Sequence, residues 1–276
     1  LGRLGVQDLG IPISGAMDKA SAKLANRLVG NSANSPLLEI TLIGPKIQFE
    51  EQCQIALTGA SLSAECNGKA LAQFQTININ HGDVVSFSKP ISGCRTYLAV
   101  NGKWEIKSWL GSYSASANNT AQTTPESIII KDKILEIIGG KEQLVSTIPE
   151  GERPNLSIDA PIKVYPGPEF EAFSAVEKQS FFEDEFTIGQ DSNRMGYRLK
   201  EALKGYTKKE EIISSGVMPG TIQVTNSGQP IILMADAQTT GGYPRMANVA
   251  THDLDRFAQF KPGDKVRFEC IQFLTL

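Results

Sequence analysis

HGDVVSF, residues 81–87, returns near the other end of the chain as PGDKVRF, residues 262–268. Each places Gly-Asp ahead of a short strand of one hydrophobic phase that ends in Phe. A turn dipeptide that aims the following strand is frequent in all-β proteins. The two halves of the chain also carry similar strand content, so the echo implies two related β domains, duplicated and diverged. The predicted domains are residues 1–150 and 151–276, with the boundary in the polar, Pro-rich stretch PEGERPNLSIDAP, residues 149–161.

Outward from the first copy, the chain alternates turns and short strands. Asp18 reads as the N-cap of a helix over Ala20 to Leu28, with Leu24, Ala25 and Leu28 at helical spacing and Gly30 as the stop. LLEITLIG, KIQFEEQC and QIALTGA read as strands parted by Gly and Gly-Pro. Asn67-Gly68 reads as a hairpin turn, and residues 75–102 give three more strands. In the second half IKVYP is a strand ended by Pro, VEKQSFFEDEFTIG a short helix and a strand, and residues 211–236 several strands broken by Gly-Pro and Asn-Ser-Gly. NVATHDLDRFAQF reads as a short helix, and KPGDKVRFECIQF closes with a strand pair. Strand-dense halves with short helices point to a mainly β protein built of closed or nearly closed barrels.

Composition excludes several classes. The 276 residues are 41% hydrophobic and 21% charged, which is soluble globular composition and enough chain for two domains. Net charge is −3 and Lys and Arg are scattered, so no nucleic-acid face is expected. No apolar run reaches the ~20 residues of a membrane span. Cys53, Cys66, Cys94 and Cys270 lack CxxC spacing, which argues against a zinc site and for a reduced, cytoplasmic protein. With only His81 and His252, no His-rich metal site is expected, so the metal expectation is none. His81 reads as a solvated turn residue, and His252 as the start of a helix or turn beside Asp253.

The chemistry concentrates in QPIILMADAQTTGGYPRMANVATHDL, residues 229–254, where an apolar strand ends in a polar Gly-Gly turn. DSNRMGYRL, residues 191–199, is a second polar cluster, and PISGAMDKASAKLANRL, residues 12–28, sets Ser14, Gly15 and Met17 ahead of a helix N-terminus that favours anions. Taken in order with GRLGVQDLG, LLEITLIGPKIQF, SSGVMPGTIQV and FKPGDKVRF, these segments make the chain resemble the allophanate hydrolase subunit 2 family, also called the biotin-dependent carboxyltransferase A/B domain family. That family includes the C component of the bacterial ATP-dependent 5-oxoprolinase, the KipI antagonist KipA and the carboxyltransferase part of urea carboxylase. The resemblance implies two cyclophilin-like β-barrel domains with an active cleft between them. It also implies ATP-dependent opening of 5-oxoproline to glutamate, in a hetero-oligomer with a component-B-like protein (KipI-like or allophanate hydrolase subunit 1-like) and an A component. Carboxyl transfer from carboxybiotin to a urea-like acceptor, or a KipA-like regulatory role, are the alternatives it leaves.

Read with that resemblance, Arg245, Gln238 and Asp236 are the catalytic candidates. Arg245 offers a planar fork for a carboxylate or carbonate. Thr239, Thr240, Gly241, Gly242 and Tyr243 are substrate-binding candidates. The two glycines permit close backbone approach or positive φ, and exposed amides there can hold an oxyanion. Asp191, Asn193 and Arg194, with Ser14, Gly15 and Met17, complete the set. Residues 236–245 are expected at the mouth of the second barrel, facing the first domain across a cleft that Asp191, Asn193 and Arg194 share. The sequence holds no GxxxxGK[ST] loop and no Met-Lys-Met biotin site, so no covalently bound cofactor is expected. ATP is then used by the complex, and biotin belongs only to the carboxyl-transfer alternative. One departure is the segment after Leu110, Gly111 and Ser112, where the family's Gly-Gly and Arg do not follow.

Overall fold

The structure, a computed structural model, describes residues 1–115, 124–140, 144–208 and 212–271. Part of the divergent 111–130 segment, residues 116–123, lies outside the described residues. The chain divides into two compact units: one of Leu1 with Asp18–Leu156, the other of Gly2–Met17 with Ser157–Leu276. The second unit is therefore built from both ends of the chain.

The first unit holds helix α1 (Lys19–Leu28). Its strands are β1 (Leu38–Thr41), β2 (Ile47–Gln48), β3 (Cys53–Ser61), β4 (Glu65–Cys66), β5 (Lys69–Ala70), β6 (Thr76–Ile79), β7 (Val84–Ser86), β8 (Ser92–Val100), β9 (Gly102–Trp104) and β10 (Ile137–Gly139). Asp18 caps α1, its carboxylate accepting from the Ser21 N–H at 2.8 Å and the Ser21 hydroxyl at 2.6 Å. That satisfies one of the N–H groups a helix start leaves open. Ala22, Ala25 and Leu28, at spacings of three, form the buried stripe. β3 and β8 are the long central strands of a four-stranded antiparallel sheet, order β1-β8-β3-β6. A second sheet, order β2-β7-β4-β5, contains the Asn67-Gly68 hairpin, where both residues have positive φ (49° and 78°), as that turn requires. Ile55, Leu57, Ile79, Val85 and Leu98 are among the side chains that fill the core of this unit.

The second unit contains helices α2 (Ala175–Glu183) and α3 (Thr251–Phe257). Its strands are β11 (Ile162–Pro166), β12 (Phe186–Thr187), β13 (Gly196–Arg198), β14 (Ser215–Gly216), β15 (Thr221–Val224), β16 (Pro230–Leu233), β17 (Thr240–Gly241), β18 (Arg245–Val249), β19 (Lys265–Val266) and β20 (Phe268–Cys270). α2 starts in a capping box, Ser174 and Glu177 each satisfying the other's backbone N–H. Six strands form a sheet in the order β13-β16-β15-β18-β11-β20. β18 was not foreseen: the helix expected from residue 248 begins at Thr251, because residues 245–249 pair with both β15 and β11. The closing strands do not pair with each other. β19 lies antiparallel to β12, while β20 lies parallel to β11.

The echo between 81–87 and 262–268 extends to geometry. Gly82 and Gly263 both have positive φ (82° and 93°). Asp83 and Asp264 each close the turn by accepting from the backbone N–H three residues earlier, of Asn80 at 2.8 Å and of Lys261 at 2.9 Å. Their carbonyls then accept from the residue that follows the partner strand, Phe49 and Ile188, each at 2.9 Å. The same turn is thus built once in each unit. Both units are mainly β with few helices, and among the described residues no sheet is seen to close into a barrel. No helix of the described residues is long and apolar enough to cross a membrane.

Candidate functional site

Within the second unit, three segments distant in sequence meet at Arg194. β16 ends at Leu233, and Met234 and Ala235 anchor the following turn in the core. The backbone there is held to the 191–198 turn: Met234 donates to the Met195 carbonyl at 3.1 Å, and Asp236 to the Arg194 carbonyl at 2.9 Å. The side chains repeat the pairing. Arg194 Nε donates to Asp236 Oδ2 at 2.7 Å and Nη2 to Oδ1 at 3.0 Å, a two-pronged fit that fixes the guanidinium plane. Nη2 also donates to the Gly15 carbonyl at 2.6 Å. The Ser14 N–H donates to the Ala235 carbonyl at 2.8 Å, which locks the N-terminal segment against the same turn. Four of the sequence candidates, Ser14, Gly15, Arg194 and Asp236, therefore form one cluster.

Arg3 joins them and nothing in the sequence marked it. It is fully buried, and its N–H donates to the Ile13 carbonyl at 2.7 Å. Burial lowers the pKa of its guanidinium, while the nearby Asp236 carboxylate acts in the opposite direction. Gly2 is required beside it. Its φ is 106°, and a Cβ there would stand 2.7 Å from the Ile13 carbonyl oxygen.

The remaining candidates divide. Asn193 closes its own turn, its Oδ1 accepting from the Met195 N–H at 2.8 Å. Asp191 faces Arg198 at 3.3 Å, both side chains more than half exposed. Met17 packs in the apolar core of the second unit. The anion position expected at the start of α1 is filled by the chain's own Asp18 carboxylate.

Arg245 is committed to a partner that the sequence did not reveal. Its Nε donates to Glu169 Oε2 at 2.7 Å, its Nη2 to Oε1 at 2.5 Å, and its Nη1 to the Gly216 carbonyl at 3.2 Å. Glu169 lies in PGPEF, 76 residues away, where no local pattern advertises it. The 238–243 turn forms a short ribbon: Thr240 and Gly241 in β17 pair with Gly216 and Ser215 in β14. The Thr239 carbonyl accepts from Val217 at 3.0 Å, and that of Gly242 from Ile212 at 3.1 Å. Neither glycine has positive φ. They are required by packing against the protein itself, since a Cβ on Gly241 would stand 2.6 Å from Gln223 Nε2. Gln238, Thr240 and Tyr243 are the exposed members of the turn, and the Tyr243 carbonyl accepts from Gln223 Nε2 at 3.0 Å.

Among the described residues no group of three or more His, Cys, Asp or Glu gathers to hold a metal. His252 is exposed at the start of α3, 4.0 Å from Asp253, whose carboxylate is taken up by the Lys163 N–H and by Arg256.

The family model for the carboxyltransferase domain, subdomain A and B, matches residues 9–270. The chain is 36% identical over 267 residues to the C component of 5-oxoprolinase from Escherichia coli (strain K12), covering 97% of this chain and 85% of that one. It is 33% identical over 277 residues to the C component of 5-oxoprolinase from Haemophilus influenzae, covering 98% and 86%. Among solved structures it is similar to the Kluyveromyces lactis urea carboxylase, with a TM-score of 0.85 and 30% identity, covering 98% of this chain and 26% of that one. It spans 53% of another matched solved chain, at the same TM-score.

Proposed function

The chain belongs to the carboxyltransferase domain, subdomain A and B, family, and from that membership we propose that it is the C component of an ATP-dependent 5-oxoprolinase, opening 5-oxoproline to glutamate. One observation carries the reading: the match to the 5-oxoprolinase C component runs over nearly the whole of both chains, 97% and 85%. The match to urea carboxylase covers 26% of a larger enzyme. In this reading a component-B-like protein and an A component complete a cytoplasmic hetero-oligomer. ATP is spent by the assembly, no cofactor is held covalently, and each unit is a cyclophilin-like barrel.

The substrate chemistry fits the polar cluster. 5-Oxoproline carries a carboxylate and a lactam amide. Its opening breaks the amide C–N bond, forms a C–O bond from water and leaves the nitrogen protonated as an amine. A carboxylate needs a cation held in a fixed position, and the Arg194 guanidinium is such a cation, with Nε and Nη2 bonded to Asp236 and to the Gly15 carbonyl. The lactam needs neutral donors and acceptors, which Gln238, Thr239, Thr240 and Tyr243 supply. Asp236 then acts by holding Arg194. Arg245, tied to Glu169, supports the 238–243 ribbon through Gly216.

The test is turnover of 5-oxoproline and ATP by the protein mixed with its A and B partners. Wild type is expected to be active, and Arg194→Lys to lose roughly 10- to 100-fold in kcat/KM, because an ammonium cannot keep the two-pronged hold on Asp236 that fixes the charge in place. A complex that leaves 5-oxoproline intact overturns the function; unimpaired Arg194→Lys overturns the role of Arg194. The urea carboxylase similarity favours a second reading, carboxyl transfer from carboxybiotin to a urea-like acceptor. Binding of free biotin, measured calorimetrically, supports that reading, and its absence removes it.

A further inference from the structure

Ser14 carries two unfavourable features at once. Its φ is 55°, in the left-handed region that L-residues other than Asn and Asp seldom occupy, and Gly15 follows at 84°. Its side chain is fully buried, and among the described residues its Oγ has no hydrogen-bond partner. A glycine at this position would adopt the same backbone without strain and leave no hydroxyl to satisfy. Each feature costs folding free energy, and strained or unsatisfied groups of this kind concentrate at functional sites.

The location says what the hydroxyl serves. Ser14 lies between the two ties that bind the N-terminal segment to the polar cluster. Its own N–H is bonded to Ala235, the neighbour of Asp236, and the next carbonyl, of Gly15, accepts from Arg194. The two left-handed residues turn this segment so that the Gly15 carbonyl meets Arg194. That task needs the backbone and makes no use of Oγ.

We propose that Ser14 Oγ is a ligand-binding group of the Arg194–Asp236 cluster, donating a hydrogen bond to the carbonyl oxygen of a planar amide or ureido substrate. The proposal deepens the 5-oxoprolinase reading and rests on it only for the identity of the substrate. The backbone strain and the hydroxyl are separable by mutation. Ser14→Gly removes both, while Ser14→Ala removes the hydroxyl and keeps the strain.

The experiment measures thermal stability and steady-state kinetics of wild type, Ser14→Gly and Ser14→Ala in the assembled complex. It also measures binding of 5-oxoproline and of urea to the protein alone by calorimetry. Ser14→Gly is expected to raise Tm by about 2–4 °C and yet lower kcat/KM or ligand affinity roughly tenfold. Ser14→Ala is expected to show the same loss with a smaller gain in Tm. Ser14→Gly also frees the turn that sets the Gly15 carbonyl on Arg194, so the loss in Ser14→Ala, which keeps that turn, is the one that reads the hydroxyl. If wild type turns over 5-oxoproline and both variants match it, the Ser14 proposal is overturned while the function stands. If 5-oxoproline is neither bound nor turned over but urea binds, and binds more weakly to both variants, the function falls and Ser14 keeps its role. Wild type that binds neither compound and turns over neither overturns both.

Discussion

Glu169 grips Arg245 by its backbone as well as its side chain: Oε2 accepts from the Arg245 N–H at 3.0 Å and from Nε at 2.7 Å, while Oε1 accepts from Nη2. Both side chains are about four-fifths buried. The Arg245 side chain, chiefly through its hydrogen bonds, holds the Glu169 carboxyl below its ordinary pKa, against the opposing effect of burial. Glu169→Gln is expected to cost about 2 kcal/mol at pH 7 in urea unfolding, since it leaves a buried guanidinium without its counter-charge. A carboxyl depressed by folding contributes stability above its unfolded pKa and loses it as pH falls through the folded value. The gap between wild type and Glu169→Gln should therefore shrink below pH ~4. A gap that holds constant down to pH 3 would show that the charge of Glu169 does not stabilise the fold.

Tyr97 is fully buried, its hydroxyl accepting from the Asp18 N–H at 2.7 Å and donating to Glu39 Oε2 at 2.9 Å. Tyr97→Phe keeps the ring and strands two polar groups, so a loss of about 1–3 kcal/mol is expected. Burial, then the carboxylates of Glu39 and Asp18, push the phenol well above its usual pKa. Its contribution is full below pH ~10 and is lost as pH rises further. In an absorbance titration Tyr97 should stay silent while exposed tyrosines ionise, appearing only on alkaline unfolding. Phenolate appearance at Tyr97 in the folded protein near pH 10 contradicts this.

Gly241→Ala should destabilise by about 1–3 kcal/mol, because the new methyl meets the amide of Gln223, a side chain buried to 2% exposure. Gly242→Ala should cost less, its nearest neighbour being the Ile212 carbonyl oxygen at 3.1 Å. Introducing Gln223→Ala alongside should shrink the Gly241→Ala penalty in a double-mutant cycle. Strict additivity there would mean that the two sites do not collide.

Burial pushes the Cys53 thiol up to about 11. Little thiolate then exists at pH 8, and iodoacetamide should label Cys53 in the native protein on the order of a hundredfold more slowly than in urea. Peptide mass mapping reads this directly, and equal rates in the two states would refute it.

What was legible in the sequence was local. Asp18 as a cap, Asn67-Gly68 as a turn and the Gly-Asp echo each rest on residues within a few positions of one another, and the structure holds all three. Arg194 and Asp236 were both singled out, but their direct pairing across 42 residues was not readable. Glu169 and Arg3 were missed for the same reason: each acquires meaning from a residue far along the chain. β18 hid because Met246, Ala247 and Asn248 have no strong strand preference, and the pairing of β18 with two neighbours overrides propensity. The glycines of the 238–243 turn looked like room for a ligand, and the room is taken by Gln223.

The division of the second unit between residues 2–17 and 157–276 sets an order on biosynthesis. On the ribosome, the segment that carries Arg3, Ser14 and Gly15 emerges before the rest of its own unit and has none of that unit to dock against. Arg194, Ala235 and Asp236 follow only after the whole of 18–156 has been made, roughly ten to forty seconds later at ~5–20 residues per second. By the end of that interval the first unit has its complete chain, while residues 2–17 still lack their partners and stay open to chaperones or proteases. For the same reason, cutting the gene at 156/157 yields a C-terminal fragment without the strap that holds Arg194. A version rearranged so that residues 2–17 follow residue 271 would restore that strap and let the second unit be made as one uninterrupted stretch.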